Sequence, residues 1–391
     1  MTAGGHDVHT VELVKELIKK DILVLSAGCS TGGLENVGLM SPGAEELAGE
    51  NLKAVCKKLN IPPVLNFGPC LAIGRIEIVV SELAKELGVD IIYLMPIHEI
   101  GIKNRKGIWG SPYAIKDYYS ISKDLGTKND FISLITTTHK MGMKIIMDMV
   151  FNHTSPDSVM LEKHPEYYFY KDGKLGNRVG DWSDIIDLDT NREDTQSYLL
   201  DVLKYWVSLG VDGFRFDVAS MISLDFFKKA RTELGKDIIF FAESIDYDFV
   251  NYLKSLGYSS TPDIDMYPTF DLLYNYSWFR PLERYLKNEI SYDKLKSVIN
   301  EDYEYIGDKG LRIICFENHD TERIAAYINE DKLKDIVLDL VKYKGPLFIY
   351  MGQEYGAGHR PDLFEKDPVI WKINEKVLEI YKEAIKIKKS H

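Results

Sequence analysis

Carboxylates end four apolar runs of this sequence: IIMDMVFNH (145–153), GFRFDVA (213–219), FFAES (240–244) and ICFENHD (314–320). Runs of β-branched, aliphatic and aromatic residues predict buried β-strands. An isolated charge is costly in an apolar environment, so a carboxylate at the tip of a buried strand needs a specific reason. Four such tips predict carboxylate chemistry on a neutral, polar substrate.

Short apolar strands alternate with amphipathic helices along most of the chain. The nine strand candidates are 22–26, 63–67, 91–95, 144–149, 212–217, 238–242, a weak one near 264–270, 312–316 and 346–350. Helices are predicted over 43–59, 73–87, 129–141, 194–209, 224–234, 331–342 and 368–388, among others. This alternation indicates parallel β/α units, and a (β/α)8 TIM barrel uses eight strands with its active site at their carboxyl ends. We therefore predict an α/β fold of this type, with 22–26 as the surplus strand.

The composition disfavours several classes of partner. The 391 residues carry a formal net charge of −12, which argues against binding to nucleic acid or to anionic membrane surfaces. No apolar run reaches the roughly 20 residues that a membrane-spanning helix needs. The N-terminal sequence has no apolar signal core, and four cysteines are too few for a disulfide framework in so long a chain. These features predict a cytoplasmic protein and leave its oligomeric state open.

From about residue 89 to 388 the sequence resembles the α-amylase family, glycoside hydrolase family 13. Five segments carry the resemblance in the family's order: YAIKDYY (113–119), DMVFNH (148–153), GFRFDVA, the glutamate of FFAES, and ENHD. The resemblance implies a (β/α)8 barrel that hydrolyses or transfers α-1,4-linked glucose units with retained anomeric configuration. Family members usually carry a β-sandwich after the barrel, and we expect none in this chain.

Retaining glycosidic cleavage needs two carboxyl groups about 5–5.5 Å apart. The resemblance assigns Asp217 as the nucleophile that forms a glycosyl-enzyme, Glu243 as the general acid/base, and Asp320 as a third carboxylate that holds sugar hydroxyls. Arg215 lies two residues before Asp217, so both face one side of a strand, and we expect the guanidinium to lower the pKa of Asp217. Glu243 follows an apolar triplet with no cation nearby in sequence, an environment that favours the protonated acid.

The resemblance also implies how a sugar is held. The matching positions are Tyr113 as an aromatic platform, Asp148 and Arg215 as the pair that orients the nucleophile, and His153 and His319 as partners of sugar hydroxyls. Trp109 and Trp182 lie on long loops and are candidates for outer subsites, with ordinary packing as the alternative.

Asn152 matches a calcium ligand of many family members, so a calcium ion is a candidate ligand here. The Lys-His pair that often follows the nucleophile in the family is absent from GFRFDVASMI. We therefore expect no required cofactor and a small-molecule oligosaccharide substrate rather than long starch.

The first 85 or so residues resemble part of the catalytic subunit of nickel–iron carbon monoxide dehydrogenase. The segments DILVLSAGCSTGGLENVGLMSP (21–42) and IPPVLNFGPCLAIGR (61–75) carry this resemblance. In that family the cysteines matching Cys29 and Cys70 help hold the metal cluster, but its other ligands have no counterparts here. An iron–sulfur cluster usually needs four protein ligands, so neither such a cluster nor nickel is expected.

The sequence therefore predicts a composite chain with a seam near 86–90. We expect an extra β/α segment over 1–60 and the barrel over 61–391. In that arrangement VLNFG (64–68) and the following helix, a Rossmann-like β/α unit, supply the first unit of the barrel through a right-handed crossover. Two alternatives stay open: a catalytically silent chimera that at most binds maltooligosaccharides, and an iron–sulfur or nickel oxidoreductase fragment.

Overall fold

The computed structural model describes residues 87–390 except 181, 246, 366, 368 and 370–372. Several predicted features lie outside the described residues: the strand candidates 22–26 and 63–67, the helix candidate 43–59, and the cysteines Cys29 and Cys70. So does the helix candidate 73–87, apart from Leu87, which is helical.

Parallel strands follow one another in chain order. Five form one sheet: β1 (Ile91–Leu94), β2 (Lys144–Met149), β3 (Gly213–Phe216), β4 (Ile239–Ala242) and β5 (Leu272–Leu273). A further parallel pair consists of β6 (Ile314–Cys315) and β7 (Leu347–Phe348). A parallel bridge between Leu273 and Arg312 joins the two groups. The described strands thus form one wall from β1 to β7, as a barrel requires.

Helices separate most of these strands. The longer ones are α1 (Lys128–Lys140), α2 (Glu193–Ser208), α3 (Leu224–Leu234), α4 (Tyr247–Ser255), α5 (Tyr276–Leu286), α6 (Tyr292–Ile306), α7 (Glu330–Leu340) and α8 (Glu375–Ser390). Shorter helical segments are Val159–Lys163, Pro165–Tyr167, Ala219–Met221, Asp263–Met266, Ile324–Ala326 and Gln353–Tyr355. None of the helices described is both long and apolar enough to cross a lipid bilayer.

Long loops follow β1 and β2 and contain short antiparallel pairs. These pairs are Glu99–Ile100 with Ile115–Asp117, His153–Thr154 with Ile186–Asp187, and Tyr170–Lys171 with Lys174–Leu175. They fix loop residues above the carboxyl ends of the strands.

Polar side chains set where several helices begin. Thr127 and Asp130 form a capping box at the start of α1, each accepting a backbone N–H from the other. Ser291 and Asn329 cap α6 and α7, and each side chain accepts one backbone N–H of the first turn. Such caps contribute about 1 kcal/mol each.

Alternate residues of the strands face opposite sides of the wall. Phe216 points outward and packs edge-on against Phe227 of α3, with ring centroids 4.9 Å apart. Ile146 and Phe241 belong to a separate buried cluster with Tyr274 on the inner side. Asp148 and Glu243 follow Ile146 and Phe241 by two positions. Their side chains therefore reach the same inner face, at the carboxyl ends of the strands.

One strand prediction was wrong. Residues Asp263–Met266 are helical, with Pro262 at the N-cap, and the strand is Leu272–Leu273. Proline fits the start of a helix because the backbone N–H it lacks would have no partner there. The last helix begins at Glu375 rather than 368, and the sequence analysis did not single out α5 and α6. The other strand and helix predictions within the described residues overlap observed elements.

Gly213 tests the register of the wall. A Cβ atom there would lie 2.5 Å from the Ile239 carbonyl oxygen and 3.0 Å from Ile146 Cγ2. We expect Gly213→Ala to lower the free energy of unfolding by about 1–3 kcal/mol, because the strand must shift to admit the methyl group. Denaturant unfolding measures this, with Gly180→Ala as a control because a Cβ there meets nothing within 4 Å. An unchanged midpoint for Gly213→Ala would contradict the register.

Candidate active site

The guanidinium of Arg215 joins three carboxylates at the inner ends of adjacent strands. Its Nη1 donates to both oxygens of Asp148 at 2.8 Å and to Asp217 Oδ1 at 2.9 Å. Its Nη2 lies 2.9 Å from Glu243 Oε2 in an ion pair. Burial opposes the charge of Arg215, but the carboxylates of Asp148 and Glu243 raise its pKa overall, so the cation persists.

Strand register brings Asp217 beside Glu243. Phe216 and Ala242 are partners in the parallel ladder, so the next residues emerge side by side. The backbone N–H of Glu243 donates to the Phe216 carbonyl at 2.9 Å, and that of Asp217 to the Met149 carbonyl at 3.0 Å. Both side chains are buried, at 7% and 5% exposure of the residue.

The electrostatics of this pair differ from the sequence-based expectation. Burial, and then the charge of Glu243, raise the pKa of Asp217, and Arg215 only partly opposes them. The expected net lowering was therefore wrong, because Arg215 is shared among three carboxylates. No cation lies near Glu243 in sequence, but the neighbouring strand places Arg215 beside it in space. Two adjacent buried carboxylates favour holding one proton between them.

Asp148 is held by two tyrosines as well as by Arg215. Tyr93 donates to Asp148 Oδ2 at 2.6 Å and Tyr113 donates to the same oxygen at 3.0 Å. The Tyr113 ring also stacks on His319 with centroids 5.2 Å apart, and its hydroxyl lies 2.8 Å from His319 Nε2. One face of the expected aromatic platform is therefore covered by His319.

Asp320 completes the site at its rim. Its Oδ2 lies 3.2 Å from His319 Nε2, and its side chain is 45% exposed, unlike the buried carboxylates below it. His319 thus links Asp320 to Tyr113 and so to Asp148. The structure brings the predicted catalytic residues into one connected cluster.

His153 and His319 are neutral at neutral pH. Burial lowers the pKa of each to about 4. His153 Nδ1 lies 3.1 Å from Asn152 Nδ2, and the ring meets Trp182 edge-on at 5.7 Å. Trp182 therefore lies beside the site, whereas the backbone of Trp109 bonds the carbonyl of Phe364 at 3.0 Å.

Two residues of the site were not predicted. Tyr93 alternates with Ile92 and Leu94 in the apolar run of β1, and the period of two could have placed it on the inner face. Tyr276 donates its hydroxyl to Glu243 Oε1 at 2.5 Å. Tyr276 follows the short strand β5. It was missed because that strand was predicted near 264–270.

Asn152 does not lie in a site that fits calcium. Its Nδ2 is 3.4 Å from Asp187 Oδ1, but Arg178 donates to Asp187 Oδ2 at 3.1 Å and to the Leu188 carbonyl at 3.3 Å. The Arg178 guanidinium also lies 4.5 Å from the Phe169 ring centroid. Burial raises the pKa of Asp187 to about 6 even with this cation beside it. A side chain thus already supplies the positive charge, and calcium prefers several oxygen ligands.

Comparison with known proteins identifies the family. The profile described as "Alpha amylase, catalytic domain" matches residues 73–391, so the chain belongs to the alpha-amylase family. A solved alpha-amylase from Lactobacillus plantarum is 34% identical, with a TM-score of 0.76 over 81% of this chain and 76% of that one. A noncanonic maltogenic alpha-amylase from Thermotoga neapolitana is 30% identical, with a TM-score of 0.73 over 82% and 74%. The predicted TIM-barrel fold is confirmed.

Curated relatives are longer than this chain. Probable oligo-1,6-glucosidase 3 of Bacillus subtilis is 25% identical over 352 residues, which cover 73% of this chain and 62% of that protein. An intracellular maltogenic amylase of the same species is 27% identical over 341 residues, which cover 81% and 55%. The chain therefore spans 62% and 55% of the length of these two relatives.

The N-terminal segment matches a second family. The Prismane/CO dehydrogenase profile matches residues 2–103 and overlaps the first match. A carbon monoxide dehydrogenase of Methanocaldococcus jannaschii is 62% identical over 91 residues, which cover 23% of this chain and 15% of that protein. The composite resemblance predicted from the sequence is confirmed.

Chelation tests the assignment of Arg178. We expect dialysis against EDTA, and later addition of calcium, to leave the thermal unfolding midpoint unchanged, because Arg178 already neutralises Asp187. Arg178→Ala should lower the unfolding free energy by about 3 kcal/mol by leaving a buried carboxyl group without its partner. Arg192→Ala, in an exposed pair with Asp194, is the control. A wild-type midpoint that rises with calcium would contradict the assignment.

Proposed function

We propose that this chain cleaves α-1,4-linked glucose oligosaccharides with retained configuration, by hydrolysis or transglycosylation. One observation carries the proposal: Arg215 holds Asp148, Asp217 and Glu243 together at the ends of three adjacent parallel strands. The amylase-family match and the maltogenic and oligo-1,6-glucosidase relatives support an α-glucan substrate.

In the first step Asp217 attacks the anomeric carbon of the bound glucosyl unit. Arg215 holds Oδ1, so Oδ2 is the attacking atom. Glu243 gives its proton to the glycosidic oxygen as the bond to the anomeric carbon breaks, and that electron pair stays on the leaving oxygen. The shared proton therefore resides on Glu243 in the productive form.

In the second step the ionised Glu243 removes a proton from water or from a sugar hydroxyl. The resulting oxygen forms a bond to the anomeric carbon, and the bond to Asp217 breaks. Two inversions give net retention. Asp320 at the rim and the neutral imidazoles of His153 and His319 bond the sugar hydroxyls, since a neutral imidazole both donates and accepts.

Asp217→Asn tests the nucleophile. We expect release of reducing sugar from maltoheptaose to fall by at least about 10⁴-fold, because an amide cannot form the glycosyl-enzyme. Proton NMR of the wild-type reaction should show the α-anomer first. Asp225→Asn, whose side chain is 82% exposed, is the matched control.

The outcomes separate the alternatives. A wild-type protein that binds maltooligosaccharides in calorimetry but releases no product would support a silent chimera. Full activity in Asp217→Asn would refute the assigned nucleophile. Stoichiometric iron or nickel in the purified protein would favour the oxidoreductase fragment.

We also propose that residues 61–86 supply the first β/α unit of the barrel, with 1–60 as an extra segment. Among the described strands β1 and β7 are the edges, and a cavity of about 880 Å³ lies between them. Ile91 and Tyr93 line it from one edge, and Leu347 and Phe348 from the other. The apolar strand candidate VLNFG (64–68) suits this place, and helical Leu87 precedes β1 as a crossover helix would.

Two substitutions in the full chain distinguish the strand candidates. Leu65→Asp should lower the thermal midpoint and abolish activity on maltoheptaose, because a strand inside a parallel sheet is buried on both faces. Leu23→Asp, in the surplus candidate 22–26, should spare activity. Equal effects of the two substitutions would contradict the proposed closure.

A further inference from the structure

We infer that Tyr276 positions the acid proton of Glu243, an inference that rests on the proposed function. Its hydroxyl lies 2.5 Å from Glu243 Oε1. The family resemblance assigns Tyr276 no role. Tyr276 contacts Glu243 rather than the nucleophile Asp217.

The two oxygens of Glu243 are not equivalent. Oε2 accepts the backbone N–H of Val218 at 2.7 Å and lies 2.9 Å from Arg215 Nη2. Both of these partners are donors only, so a proton on Oε2 would face donors rather than an acceptor. The acid proton therefore resides on Oε1, where a phenol oxygen can accept from the protonated acid or donate to the carboxylate.

The Tyr276 ring is fixed by its neighbours. It packs against Tyr274 with centroids 5.4 Å apart and edge-on against Phe279 at 4.9 Å. Asn275, the preceding residue, donates to the Cys315 carbonyl at 3.0 Å and anchors the turn into α5. Burial, and then the charge of Glu243, raise the pKa of Tyr276 well above its ordinary value, so it stays a phenol.

This hydroxyl changes its role during the reaction. Before cleavage the phenol oxygen accepts the proton on Oε1 and so holds that proton near the position of the leaving oxygen. During cleavage the leaving oxygen replaces the phenol oxygen as the acceptor of this proton. After cleavage it donates to the Glu243 carboxylate and stabilises it. The groups facing Glu243 among the described residues are Arg215, Asp217, His153, His319, Tyr274 and Tyr276. Of these, Tyr276 bonds Oε1.

Tyr276→Phe is the first test. We expect kcat/KM for maltotriose to fall roughly 10- to 100-fold, the effect of one hydrogen bond to a charged group. The alkaline limb of the kcat/KM profile should move to higher pH, because the carboxylate loses a donor that favours its ionised form. Tyr247→Phe, at a residue that is 69% exposed, is the control. An unmoved alkaline limb would overturn the inference.

A double-mutant cycle separates positioning from direct substrate contact. With α-glucosyl fluoride, whose leaving group needs no protonation, Tyr276→Phe should keep kcat/KM near the wild-type value. In a Glu243→Gln background the same substitution should have no further effect. A loss that persists in that background would mean that Tyr276 acts on the sugar, and would overturn the inference.

Of two further measurements, the first does not use the Tyr276→Phe variant and the second does not need activity. A ring-fluorinated tyrosine at 276 keeps the packing and strengthens the donor, so the alkaline limb should move to lower pH. Carbon NMR of the free protein should show the Glu243 carboxyl signal titrating at higher pH in Tyr276→Phe than in the wild type. A wild-type protein without activity on any α-glucan would refute the proposed function, and the NMR comparison would still decide the role of Tyr276.

Discussion

The fully buried guanidinium of Arg215 is the constraint on which the site and the barrel wall depend. A buried charge without partners is costly, and breaking a buried ion pair from one side costs about 3–5 kcal/mol. Arg215 meets its partners only when β2, β3 and β4 keep the register that places Asp148, Asp217 and Glu243 around it. The pairing therefore specifies the register of the wall, and the register assembles the site.

Backbone strain lies directly beside this cluster. Val218 has a φ of 35° in the left-handed region, which is unfavourable for a β-branched residue. Backbone of this kind costs about 1–3 kcal/mol and is found at functional sites. Here it turns the Val218 N–H toward Glu243 Oε2 at 2.7 Å. The strained turn thus fixes Oε2 of Glu243, and Oε1 is left to Tyr276.

The sequence predicted what a strand period and local spacing determine. The period of two placed Arg215 and Asp217 on one face of β3, and the family resemblance added Asp148 to them. The contact between Arg215 and Glu243 could not be predicted, because it depends on which strand lies beside β3. Arg178 was missed for a similar reason, since it reaches Asp187 through a loop without a repeating pattern. The first 86 residues lie outside what the structure tests.

The charge of the cluster bears on the substrate class proposed for it. Asp148, Asp217, Glu243 and Asp320 outnumber the guanidinium of Arg215, and His153 and His319 add no charge because burial keeps them neutral. Even with one proton bound, the cluster remains negative. A neutral glucosyl unit gains little from that field, whereas an oxocarbenium-like transition state gains much. Stabilisation that appears only as positive charge develops lowers the barrier rather than tightening ground-state binding.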